Sequence, residues 1–64
     1  RWSVKVGSLV KCRQPEHPRV NCVGLVVEVE LHERVWGFWV SYFDYPGDWR
    51  WHHSADVEVI SESR

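Results

Sequence analysis

Apolar positions along this chain recur with a period of two, and no stretch places them at i, i+3, i+4 and i+7 over the length of a helix, so the pattern predicts an all-β chain. Val4 and Val6 lead into Gly7-Ser8, a turn or bulge signal, and Leu9 to Cys12 continues as the first full strand. The segment Arg13 to Asn21 (RQPEHPRVN) holds two prolines and almost no apolar residue, which predicts an exposed loop. Cys22 to Glu30 is the clearest strand, and its alternation suggests Leu25, Val27 and Val29 for the core side. After the polar connection Leu31 to Arg34, Val35 to Asp44 reads as a long strand that is apolar on both faces. Trp36, Phe38, Val40 and Tyr42 alternate there with Gly37, Trp39, Ser41 and Phe43.

Tyr45-Pro-Gly-Asp48 fits a type II turn, with Pro at the second position and Gly at the third. Trp49 to His52 returns as a strand, His53 to Asp56 reads as one helical turn, and Val57 to Ile60 closes the sheet. Five short strands with a long first loop, tight hairpins and a 3₁₀ turn before the last strand predict a small five-stranded antiparallel SH3-like barrel, which limits exposed sheet edges. The expected core is Val10, Leu25, Val27, Val29, Phe38, Val40, Tyr42, Trp51 and Val57. One domain is expected over 1–64, ordered from about 4 to 60, with loose ends.

Composition narrows the function. Sixty-four residues bury only about 60% of the unfolded surface, which leaves little room for an enclosed active site. Eight Lys and Arg against nine Asp and Glu supply no global positive field for a phosphate backbone, so a nucleic-acid partner is disfavoured. No apolar run approaches the roughly 18 residues of a membrane span, and a soluble chain is expected. A first residue of Arg1 rather than Met is what processing, trimming or excision from a longer chain would leave.

The segments KVGSLVKCR, GLVVEVE, WVSYFD and WRWHHSADVEVI together resemble the small SH3-like (KOW- or Tudor-like) proteins of tailed phages, over nearly the whole chain. The ending carries the most specific part of the resemblance, through Trp49, Trp51, His53, Asp56, Val57, Glu58, Val59 and Ile60. Val57 stands where Leu is usual and Ser8 where Asp is usual, and the Pro-containing first loop is longer. The resemblance implies the fold and a viral source, with a location in the host cytoplasm or the virion. It also suggests a neighbour such as a capsid, neck or tail protein, or another copy of the chain.

Cys12 and Cys22 permit one disulfide or two free thiols, and so low a cysteine count favours the reduced form. Cys12, His17, Cys22 and one of His52 or His53 are chemically suitable zinc ligands. Their spacing departs from that of fingers and ribbons, and no metal or cofactor is expected. Cys12 or Ser54 with His52, His53 and Asp56 could be imagined as a nucleophilic site, but the set supplies neither oxyanion hole nor pocket. A structural role is expected instead: Asp56 or Ser54 capping the helical turn, His53 anchoring it, and Trp51 packed in the core.

The aromatic residues are the strongest functional signal. Nine aromatics, five of them Trp, exceed what so thin a core absorbs, although Trp2 or an outer Trp could simply cover a barrel end. Trp39, Phe43, Tyr45 and Trp49 beside Arg50 have the composition of a protein-protein hot spot. The same set could stack single-stranded bases, but Asp44, Asp48 and Glu33 border it together with Arg34, and mixed charge favours a protein partner. A methyl-lysine cage of Trp39, Phe43, Tyr45 and Asp44 is the remaining alternative. The sequence therefore predicts a non-catalytic binding module that docks a protein through an exposed aromatic face.

Overall fold

The computed structural model describes residues 4–62, so the sequence expectations for Trp2 and for the outermost ends lie outside the described residues. Five strands form one antiparallel sheet: β1 (Leu9–Cys12), β2 (Val23–His32), β3 (Val35–Tyr42), β4 (Trp49–His53) and β5 (Val57–Ser61), in the order β4-β3-β2-β1-β5. One 3₁₀ turn, Ser54–Asp56, separates β4 from β5. The meander β1 to β4, with β5 returning beside β1, is the SH3-like barrel expected from the sequence.

The turns follow from local chemistry. Glu33 and Arg34, both at positive φ (50° and 69°), make the two-residue connection of β2 to β3, the backbone that matches the twist of a hairpin. Gly47 has φ 83° and Asp48 N–H donates to Tyr45 C=O at 3.0 Å, as the Tyr-Pro-Gly-Asp turn requires. The long loop is tied to its own base by Asn21 N–H to Cys12 C=O at 2.8 Å and Cys22 N–H to Arg19 C=O at 2.9 Å.

The core consists of Val10, Cys12, Val26, Phe38, Val40, Tyr42 and Val57, with Val4, Cys22, Val29 and Val59 packed against it. Three of the expected core assignments, Leu25, Val27 and Trp51, are corrected. In β2, Val26 faces inward while Leu25 and Val27 are only half-buried. The register shifts between Val26 and Glu28, so Val26 opposes Val40 and Glu28 opposes Trp39, leaving Val27 as the extra residue. That bulge reverses the alternation mid-strand and returns Val29 to the core side. In β4 the phase is opposite to expectation: His52 is buried (1% exposed) and Trp51 lies on the outer face. Trp51 can lie flat there because β3 carries Gly37 beneath it. A Cβ at Gly37 would meet the Trp51 ring and stand 2.8 Å from the His52 carbonyl oxygen, the close approach that a glycine within a strand signals.

Candidate functional site

Two distinct groups of residues are assembled on this scaffold. The first is the outer face of β2, β3 and β4. The ladder sets Trp39 opposite Trp51, Ser41 opposite Trp49 and Gly37 opposite His53. On the other side of β3, Leu25 opposes Ser41, Glu28 opposes Trp39 and Glu30 opposes Gly37. Side chains opposite one another in a ladder share a face, so three indoles and two carboxylates line this one. Trp39 Nε1–H donates to Glu30 Oε1 at 3.1 Å, which fixes the ring. Trp51 is held edge-on by His53 (ring centroids 5.0 Å) and His32 (6.4 Å). An open groove of about 320 Å³ runs between Glu30, His32, Trp39 and Trp51. Trp49 is 54% exposed and Phe43, past the end of β3, is 57% exposed.

The second group is the loop Arg13 to Asn21 folded against the Tyr45–Asp48 turn and β4. Arg19 Nε donates to Asp48 Oδ2 at 2.7 Å, and its guanidinium lies 3.6 Å from the Tyr45 ring centroid. Arg50 Nε reaches both Asp48 oxygens, at 3.0 and 3.1 Å. Partial burial favours protonation of Asp48, but the hydrogen bonds and charges of Arg19 and Arg50 outweigh it and hold the carboxyl below its ordinary range.

Beneath this clamp, Tyr42 Oη lies 2.7 Å from His52 Nε2, and Gln14 Oε1 lies 3.4 Å from Nδ1. A carboxamide oxygen only accepts, so the His52 proton sits on Nδ1 and Nε2 accepts from the phenol. Burial first, then the neighbouring His17, lowers the His52 pKa to about 4 despite the opposing charge of Asp56. Burial, followed by the adjacent Cys12, pushes the Tyr42 phenol well above its usual range. His17 stacks obliquely on His52 with centroids 4.8 Å apart, and its Nδ1 accepts from Arg19 N–H at 2.9 Å. Burial and the charges of Arg50 and Arg19 lower the His17 pKa.

The residues singled out from the sequence thus divide. Trp39 and Trp49 share the outer face, with Trp51 joining them rather than filling the core. Phe43 is exposed nearby in the chain, whereas Tyr45 and Arg50 belong to the clamp, where Arg19 covers one and Asp48 occupies the other. The cage drawn from Trp39, Phe43, Tyr45 and Asp44 is therefore replaced by a groove with Glu30 and His32 beside Trp39 and Trp51. No side chain hydrogen-bonds as a cap on the 3₁₀ turn, so neither Ser54 nor Asp56 caps it; the Asp56 carbonyl instead accepts from Arg13 N–H at 2.8 Å. His53 is exposed and reaches Trp51 by ring contact.

Both cysteines are free thiols. The spacing of Cys12, His17 and His52 is not that of fingers and ribbons, but the loop folds back over β4 and brings their ligand atoms within 4.8 Å of one another. Gln14 went unnoticed in the sequence, where a lone polar residue in a Pro-containing loop gives no signal. No protein-family model, curated protein or solved structure matches the chain. Among the described residues no helix is long and apolar enough to cross a membrane.

Proposed function

We propose that this protein is a non-catalytic binding module that docks a protein partner through the outer face of β2–β4. One observation carries the reading: three tryptophans sit on adjacent ladder positions beside Glu28 and Glu30, and none of the described β2–β4 ladder residues on that face is Lys or Arg, Lys11 standing beyond them on β1 opposite Val23. Rigid indoles supply large contact area at small entropic cost, the property that makes Trp a hot-spot residue. The carboxylates select the partner's charge. A Lys or Arg of the partner entering the groove meets two indole rings and Glu30, which combines cation–π attraction with an ion pair.

A single-stranded nucleic acid would require cations flanking the stacking rings, and Arg50, the cation nearest in sequence, is engaged by Asp48 at the rim of the inward side. The resemblance to small phage barrels gives the partner a natural class: a capsid, neck or tail protein, or another copy of the chain, met in the host cytoplasm or the virion. A thin domain gains stability on such a neighbour by mass action.

The competing partner class is tested by titrating single-stranded DNA and RNA at about 50 and 200 mM salt, since phosphate contacts make affinity fall steeply over that range. The expected result is no measurable binding at either concentration. Tight, salt-sensitive binding that disappears in Arg50→Ala and Trp39→Ala overturns the reading in favour of a nucleic-acid-binding factor.

A further inference from the structure

The cluster beneath the clamp has a chemistry that the docking face does not use. Cys12 comes from β1, His17 from the long loop and His52 from β4, so three segments distant in sequence deliver one sulfur and two imidazoles to a single point. Cys22 lies at the base of the loop, where its C=O accepts from Cys12 N–H at 3.0 Å, and its sulfur is not among the three clustered ligand atoms. We propose that Cys12, His17 and His52 form a tetrahedral site for a divalent cation of the zinc class, with a solvent molecule as the fourth ligand.

The geometry is close to what such an ion needs. Zinc–nitrogen and zinc–sulfur bonds of about 2.0 to 2.3 Å set tetrahedral ligand atoms about 3.3 to 3.8 Å apart. The three atoms here, within 4.8 Å of one another, close onto an ion by movements of about an ångström. Two of the three ligands, Cys12 and His52, are buried and positioned by the sheet itself, which favours a defined site over a loose surface chelate.

The surrounding bonds suit His52 as a ligand. Gln14 Oε1, accepting from Nδ1–H, fixes the tautomer that presents the Nε2 lone pair, and a metal-bound imidazole typically donates its other N–H to such an acceptor. In the metal-free chain the Tyr42 hydroxyl donates to that lone pair. When a cation takes its place, the phenol turns to the adjacent Cys12 sulfur. The Cys12 thiol loses its proton to solvent on binding, and one thiolate with two neutral imidazoles leaves M²⁺ with one net positive charge, which a solvent-derived hydroxide in the fourth position would offset. Thiolate and imidazole together select zinc or cobalt(II) over magnesium or calcium.

One bond must change. His17 Nδ1 accepts from Arg19 N–H, so coordination through Nε2 moves the ring proton to Nδ1 and releases that amide. Loading therefore rearranges the loop around Arg19, and the Arg19 amide resonance reports it.

Catalysis is the weaker use of the same residues, because the Cys12 side chain is fully buried and offers a substrate no approach. The test is titration of the reduced, metal-free protein with cobalt(II), followed by displacement with zinc. One equivalent is expected, with tetrahedral d–d absorption and a thiolate-to-cobalt band, together with a shift of the Arg19 amide resonance on zinc addition. His17→Ala alters a partly exposed position; amide NMR dispersion checks that it remains folded, and it is expected to weaken binding at least tenfold. His53→Ala, on the outer face, is expected to bind as the parent does. Absence of the thiolate band at excess cobalt, or undiminished affinity in folded His17→Ala, overturns the proposal. The docking face lies elsewhere on the sheet, so either result leaves the oligonucleotide titration to be decided separately.

Discussion

His52 occupies the place in β4 that hydrophobicity alone would assign to tryptophan. Trp49-Arg-Trp-His-His53 alternates equally well in either phase, and burying an imidazole looks costly. What the sequence does not display is that Tyr42 and Gln14 meet both ring nitrogens, which removes most of that cost, while Phe38 and Tyr42 already fill the interior. The consequence is a pH dependence in the reduced, metal-free protein. With a folded pKa of about 4 against an ordinary 6.5, the unfolded chain takes up the proton first as pH falls. Stability is therefore unaffected by this group above about pH 7 and is lost between 6.5 and 4, by up to about 3 kcal/mol. The charged and titratable groups around the ring are His17, Asp56, Arg50 and Tyr42. Urea unfolding at a series of pH values measures the slope, and His52→Gln is expected to flatten it above pH 5. An unchanged slope in the variant would exclude His52 as its source.

Element types and most boundaries were legible because turn residues punctuate this chain: Gly47 at positive φ and the Pro-containing loop fall where the sequence indicates them. Strand phase was less legible. The Val26/Glu28 bulge lies in an unbroken run of apolar residues in which nothing marks one valine as extra, so a period-two reading carries Leu25 and Val27 to the wrong side. Loop placement was hidden too, because Arg19 and Asp48 are 29 residues apart and only the fold makes them partners. That pair, 16% and 29% exposed, should hold the loop in place. Arg19→Ala removes the ion pair and the stacking on Tyr45 together, and is expected to cost about 1–2 kcal/mol. Hydrogen exchange should then quicken at the amides of residues 17, 20, 21 and 22 while those of β2 and β3 stay protected. Uniform exchange throughout the molecule, or none of it altered, would show that the clamp does not hold the loop.

At the scale of the whole molecule, a single five-stranded sheet serves two ends. Its concave side is filled by the core and by the Cys12, His17 and His52 cluster, whereas its outer side carries the tryptophans. The excess of aromatics was visible in the sequence, and the outward phase of Trp39 followed from the inward phase of Phe38 and Val40. The separation of Tyr45 and Arg50 from that face was not, since it depends on how the loop folds over the turn. The docking claim is tested most directly by placing a photo-crosslinking amino acid at Ser41, opposite Trp49 on the outer face, and at Glu58 on β5 as a control, in the cells that make the protein. The account predicts one protein adduct from position 41, lost when Trp49→Ala is added, and none from position 58. Nucleic-acid adducts from position 41, or the same adducts from both positions, would contradict it.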